Sequence, residues 1–313
     1  MPQTDLSRRS LLAAGAATLG LSVAGEAAAA GFFARTRLPI GIQLYTLGPE
    51  GMKDLDASLG ALAKIGYRTV EIPGFMGRTA VQLKASLDRA GLKCPSAHIQ
   101  ARGGFDGDLA KLADDLNTIG VKHAVMPSPY VPDHAMKAAA GASGADSYRR
   151  MMSALTADDW KMNADFLNQK GAALKKAGIT VGYHNHNFEF APRGETTGQD
   201  ILLDRTDPAL VTFEADVGWL AAAGVDPLAY IQKHKSRFTL MHVKDIKAST
   251  KPNFELKMDP TEVGSGRIDW RRLLPAAHAA GVRGFYVEQE PPFERARIEA
   301  AKICHDYLAA LQA

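Results

Sequence analysis

Carboxylates and imidazoles recur in this chain at the ends of short apolar runs, where a buried strand gives way to a loop. Glu71 closes Thr69–Ile72, and Ser96-Ala97-His98 closes a run that begins at Lys93. Tyr183-His184-Asn185-His186-Asn187-Phe188-Glu189, Glu214-Ala215-Asp216, His242-Val243-Lys244-Asp245 and Glu288-Gln289-Glu290 close three later runs and a fourth. Buried apolar strands that end in groups of this kind are costly unless something pairs the charges. A divalent cation is the simplest partner, and Asp216, His242 and Glu288 stand at equivalent depths on three consecutive strands. Plainer roles exist for each residue taken singly. A lone histidine is commonly a hydrogen-bonded structural group, and Glu71 could cap the helix that follows it. Lys244 with Asp245, or Glu290 with an arginine, could be surface ion pairs. The coincidence of all of them carries the expectation of a metal centre.

The elements that must position these groups alternate regularly. Strand candidates are Ile40–Tyr45, Thr69–Ile72, Lys93–His98, His123–Pro127, Thr180–His184, Leu210–Asp216, Thr239–Val243 and Gly284–Glu288. Amphipathic helical patterns lie between them, among them Leu55–Ile65, Thr79–Ala90, Leu109–Ile119, Ala157–Ala177 and Trp270–Ala280. Several stop at a glycine (Gly66, Gly91, Gly120, Gly178 and Gly281), the residue that takes the left-handed conformation after a helix. Such alternation implies a parallel sheet, and eight units in this length fit a closed (β/α)8 TIM barrel, an α/β single domain. An open doubly wound sheet would place a Gly-rich phosphate turn after the first strand, where Gln43-Leu44-Tyr45-Thr46-Leu47 stands instead. The long connection from Ser128 to Thr156, with its Ala/Gly-rich 138–145 stretch, reads as a flexible lid over the face that carries the polar residues, or as an insertion without consequence.

Residues 1–30 read as an address. Ser7-Arg8-Arg9-Ser10-Leu11-Leu12, a modest apolar stretch and the alanines 27–30 predict a twin-arginine signal peptide, with the mature domain at 31–313 in the periplasm or secreted. The apolar run is too short and too poor in large side chains for a membrane anchor, since a spanning helix needs about 20 such residues. The formal charge of +3 is too mild to argue for nucleic acid. Cys94 and Cys304 leave both a disulfide and two buried thiols open. A homo-oligomer is also left open.

The segments Tyr183–Phe190, Phe213–Trp219, His242–Asp245, Val263–Trp270 and Val287–Glu290, in that order, resemble the xylose-isomerase-like sugar phosphate isomerase/epimerase family. The resemblance covers the whole region after residue 30. It implies a TIM barrel with one divalent metal, often manganese, held by an acidic residue on strand five, Asp on strand six, His on strand seven and Glu on strand eight. Carried over residue by residue, these are Asp216, His242 and Glu288, with Glu189, His184 or His186 supplying the strand-five ligand. Mixed oxygen and nitrogen donors also suit zinc, cobalt or iron. Trp219 replaces a substrate-binding histidine of several epimerases and would stack on a sugar face. Glu71, His184, His186, Lys244 and Arg267 are further substrate-binding candidates. The implied chemistry is removal of a proton beside a carbonyl by Glu288 or Glu189, with His98 orienting a hydroxyl and Lys244 offsetting oxyanion charge. That step serves an isomerase, an epimerase or a lyase. Export favours a non-phosphorylated sugar, keto-sugar or 3-keto-glycoside as substrate. A non-catalytic sugar-binding protein and a metal-dependent hydrolase are the competing readings. A nuclease of the same fold would need more metal ligands and a basic groove.

Overall fold

The computed structural model describes residues 30–313, so the expected signal peptide lies almost wholly outside the described residues. Eight parallel strands close into one barrel: β1 (Gly41–Gln43), β2 (Thr69–Ile72), β3 (Lys93–His98), β4 (His123–Met126), β5 (Thr180–His184), β6 (Val211–Asp216), β7 (Phe238–Val243) and β8 (Gly284–Val287). Each strand pairs with its sequence neighbour, and β8 returns to β1 with Gly41 beside Tyr286. The helices that follow the strands are α1 (Leu55–Ile65), α2 (Ala80–Ala90), α3 (Leu109–Ile119), α4 (Ala157–Lys175), α5 (Gly198–Arg205), α6 (Pro227–Lys233), α7 (Trp270–Ala280) and α8 (Arg297–Ala310). A TIM barrel is therefore the observed architecture.

Local chemistry sets the helix ends. Thr79 and Gln82 form a reciprocal cap at the start of α2, and Thr156 and Asp159 do the same for α4, each satisfying amide groups that the first turn leaves unpaired. Asp54, Asp108 and Asp269 cap α1, α3 and α7 through their carboxylates. The main apolar core fills the space between the outer face of the barrel and the helices. Inside the barrel a separate small cluster of Val125, Leu240 and Tyr286 forms an apolar plug. Two residues beyond Leu240 on the same face of β7 stands His242. Cys94 and Cys304 are both free and buried. Among the described residues, no helix is long and apolar enough to cross a membrane.

The connection after β4 differs from the expected flexible loop. It forms two helices, Asp133–Ala138 and Gly144–Ser153, as its alanine content permits, and it delivers Tyr148 to the mouth of the barrel, where its hydroxyl lies 2.7 Å from Ser128 Oγ.

Candidate metal centre

Side chains alternate across a strand, so residues two apart on one strand share a face. Here β6 sends Glu214 and Asp216 inward, β7 and its extension send His242 and Lys244, and β8 with its extension sends Glu288 and Glu290. The β5 end adds His184 and His186, β2 adds Glu71 and β3 adds Ser96 and His98. All of these but His186 and Glu290 are buried.

Two histidines are held from below by carboxylates and face upward with their second nitrogen. His242 Nε2 lies 2.7 Å from Glu71 Oε2 and 3.1 Å from Glu214 Oε2. Its Nδ1 then faces Glu288 Oε2 at 3.0 Å and Asp216 Oδ2 at 3.7 Å. His184 Nδ1 lies 3.0 Å from Glu214 Oε2, and its Nε2 faces the same Asp216 oxygen at 3.8 Å. A carboxylate behind the imidazole fixes the ring and raises its basicity, the usual support of a metal-ligating histidine. Asp216 Oδ1 accepts the Trp219 amide and caps the short helix Val217–Ala222, which leaves Oδ2 for the centre. The ligand atoms of Asp216, His242 and Glu288 lie within 4.8 Å of one another, close enough to share one ion. A deeper group of His98, His184, Glu214 and His242 is equally tight.

Lys244 adds a cation to this set. Its ammonium lies 2.7 Å from Glu288 Oε2, 2.8 Å from Asp216 Oδ2 and 3.1 Å from Glu290 Oε1. The Asp216 contact is an ion pair without a well-directed hydrogen bond, so Oδ2 remains the least satisfied oxygen of the three. Gly218 makes room for the lysine stem: a Cβ there would stand 2.7 Å from Lys244 Cγ. Lys244 is thus no surface ion pair, and Glu290 is drawn into the same network.

Five carboxylates (Glu71, Glu214, Asp216, Glu288 and Glu290) meet one ammonium, so protons on the imidazoles or a bound cation must make up the charge. Burial alone would push protons off His242, but Glu214 and Glu288 outweigh it and hold the imidazolium well above its ordinary range. His98 behaves likewise: burial opposes its charge, while Glu71 and Glu214 raise it to about 9. For Glu288, burial opposes ionisation, yet Lys244 and His242 keep it ionised well below the ordinary carboxylate range. Burial holds Glu290 above that range despite Lys244. His184 is driven low by burial and by His242. His186 falls to about 3 through burial and Lys244, so both rings of the β5 end are neutral donors. Two neutralisable imidazoles and two carboxylates form a donor set that could bind a divalent ion.

Three expected roles meet a different geometry. Glu189 is fully buried but sits apart from the convergent donors. Tyr183 Oη donates to its Oε1 at 2.8 Å and the His186 amide to its Oε2 at 2.9 Å, so it braces the turn that carries His186. Burial raises its carboxyl to about 8. Glu71 is not open to a substrate: its oxygens accept from Gln43 at 2.8 Å and from Ser96 and lie against His242 and His98, beneath the centre. It caps no helix. Arg267 lies outside the barrel mouth, donating to the Ala221 carbonyl and lining a separate surface pocket. The segment Val263–Trp270 wraps around Asp245, whose carboxylate accepts from the amides of Gly264, Gly266 and Ile268 and from Trp270 Nε1 at 2.8 Å. A Cβ on Gly266 would stand 2.1 Å from Asp245 Oδ1, which explains the glycine. That motif shapes a loop and does not reach the centre.

His98, His184 and Glu288 line a chamber of about 240 Å³ directly above the donors, and Trp219 lines a wider cavity outside it. Tyr45 and Tyr148 also line the chamber and were not among the expected site residues. Asn185 and Asn187 were missed as well. Asn185 clasps the Asp216 backbone at 3.1 and 3.2 Å, and Asn187 binds the Asn253 carbonyl at 2.9 Å and the Leu256 amide at 3.1 Å. The alternation His-Asn-His-Asn was the available sign.

Comparison with known proteins agrees with this architecture. An inosose dehydratase of Geobacillus thermodenitrificans is 31% identical over 159 residues, 45% of this chain and 52% of that protein, so the match spans about half of the relative's length. Inosose dehydratase 2 of Bacillus cereus is 25% identical over 230 residues, 69% of this chain and 73% of that protein. The crystal structure of a sugar phosphate isomerase/epimerase from Parabacteroides distasonis superposes with a TM-score of 0.69 at 27% identity, over 87% of this chain and 94% of that one. The pattern shared by xylose isomerase-like TIM barrels matches residues 59–309, and the chain belongs to that family.

Proposed function

We propose that this protein is a divalent-metal-dependent enzyme that removes a proton beside the carbonyl of a non-phosphorylated sugar or keto-sugar, as an isomerase, epimerase or dehydrating lyase. The observation that carries the reading is the pair of carboxylate-backed histidines, His184 and His242, which turn their second nitrogens toward Asp216. His184 takes the strand-five ligand position, since Glu189 is committed to Tyr183 and the His186 amide. Asp216, His242 and Glu288 complete the set, and manganese suits it, with zinc, cobalt or iron accommodated by the same donors. A divalent ion there supplies a Lewis acid for the carbonyl oxygen, which acidifies the neighbouring C–H bond.

The remaining steps belong to the chain. Lys244 presents positive charge beside the oxygen that becomes negative as the proton leaves. Glu290 lines the chamber, has its acidity weakened by burial, and is better placed to take the proton than Glu189. Glu288, kept ionised by Lys244 and His242, serves as a ligand and is a weaker base. His98, itself at the chamber wall, orients a hydroxyl. Epimerisation and dehydration beside a carbonyl share this first step, which accommodates both kinds of relative. The chamber wall carries Glu288 and Glu290, and the buried Lys244 behind it is already surrounded by three carboxylates, which disfavours a phosphate group there.

The test is incubation of metal-loaded protein with keto-sugars in deuterated water. Deuterium should enter a carbon beside the carbonyl. Glu290→Gln should slow that exchange by about two to four orders of magnitude with metal retained, the usual worth of a positioned base. Glu288→Gln should lose metal along with activity. Turnover without deuterium, with solvent oxygen entering the product, would make the protein a hydrolase instead.

A further inference from the structure

The cavity above the donors has two parts joined by a neck. The inner chamber, about 240 Å³, contains His98, His184 and Glu288. The outer chamber, about 930 Å³, is lined by Trp219, Lys251, Glu255 and Lys257 among others. Tyr45, Tyr148, His186 and Glu290 border both and form the neck. Pockets that take drug-sized ligands run from about 300 to 1,000 Å³, so the inner chamber lies below that range and the outer one near its top. A single sugar ring placed on the donors leaves the outer chamber empty.

The outer chamber is built and not merely open. Its wall, residues 249–259, is pinned to the β5 turn by Asn187, through the Asn253 carbonyl and the Leu256 amide. Asn253 in turn donates to the Lys257 carbonyl at 2.9 Å. The helix Gly144–Ser153 supplies the opposite side through Ala145 and Tyr148. Trp219, only 4% exposed, lies at this cavity with an indole N–H that has no hydrogen-bond partner among the described residues, and His186 Nδ1 makes no hydrogen bond, with Glu189 Oε1 4.0 Å away. An indole presents an apolar face for stacking and one donor at its edge, the combination that sugar rings and aromatic rings both meet. The chamber lining sets two lysines, Lys251 and Lys257, against three carboxyl groups, Glu255, Asp259 and Glu290, and Lys257 pairs with Glu255. A phosphate or carboxylate would meet more carboxyl groups than lysines there.

We infer that the outer chamber is a subsite for a neutral second ring, so that the substrate is a keto-glycoside, whose reacting sugar carries a ring ketone and enters the inner chamber while its ring-bearing aglycone lies against Trp219. The inference rests on the reading of the inner chamber as a sugar site, and it names the substrate class that the reading leaves open. The shared chemistry is a neutral ring on a glycosidic oxygen, whether the ring is a second sugar or an aromatic alcohol.

Calorimetric titration of the full chain with methyl β-D-glucoside, cellobiose, maltose and phenyl β-D-glucoside tests it. At least one two-ring ligand should bind ten times or more tightly than the methyl glucoside, and a preference between the disaccharides and the phenyl glucoside identifies the kind of ring. Trp219→Ala should weaken the two-ring ligand at least tenfold and the methyl glucoside less than threefold. Trp219→Phe, which keeps a stacking face, should retain most of the gain and guards against collapse of the smaller variant. Equal affinity for one-ring and two-ring ligands, equal loss of both in Trp219→Ala, or no binding of any of the four would overturn the subsite. Binding requires neither metal nor turnover, so failure here is distinct from failure of deuterium exchange.

Discussion

Replacing Lys244 with methionine isolates the charge at the centre, because methionine keeps much of the apolar stem that passes Gly218. The ammonium is fully buried and lies within 3.1 Å of three carboxylates, Glu288, Asp216 and Glu290. Removing one partner of a buried ion pair costs about 3–5 kcal/mol, since the charge left behind is uncompensated. Three converging carboxylates put Lys244→Met in that range at pH 7 with chelator present. The carboxylates can respond by taking up protons, at about 1.4 kcal/mol for each unit of pKa they must rise, so the deficit should shrink at pH 5. Urea denaturation with EDTA at both pH values measures it. Manganese at about 100 times its dissociation constant should return about 2.7 kcal/mol to any form that binds it only when folded. A deficit under about 1 kcal/mol at pH 7, or no recovery with manganese, would refute the claim that Lys244 balances an acidic divalent-ion site.

Two further outcomes follow from the same account. His242 is held protonated by Glu214 and Glu288, so a metal must displace that proton; affinity should rise about tenfold per pH unit between pH 6 and 7.5, and calorimetry in buffers of different ionisation enthalpy should register about one proton released. A pH-independent affinity would place the ion elsewhere. Residues 1–30 are proposed as a twin-arginine leader, and replacing Arg8 and Arg9 together with lysine should leave the protein in the cytoplasm; unchanged export on cell fractionation would remove that proposal.

The barrel could be read from the chain because parallel strands buried on both faces are continuous apolar runs, and the helices between them are punctuated by glycine. β2, β3 and β5 fall where the runs predict, and the other strands differ by one or two residues at their ends. The convergence of Asp216, His242 and Glu288 was also visible, since equivalent depth on consecutive strands follows from period-two alternation. What escaped depends on backbone turns beyond the strand ends. Alternation continues past the last ladder pair of β8, so Glu290 joins Glu288 at the centre although Pro291 follows directly. After β5 the chain turns instead into Phe188–Phe190, which carries Glu189 away to Tyr183. Arg267 is turned outward by the loop around Asp245, a constraint set by amides that no residue pattern displays. Tyr148 arrives from two short helices in a stretch whose small residues suggested only flexibility.

Elemental analysis of the purified protein, beside the variants His242→Ala and Glu189→Gln, tests the central claim most directly. The account predicts one divalent ion per chain in the wild type and in Glu189→Gln, and loss of most of it in His242→Ala, with all three folded by circular dichroism. Full occupancy in His242→Ala, or loss of metal in Glu189→Gln with the fold intact, would contradict it.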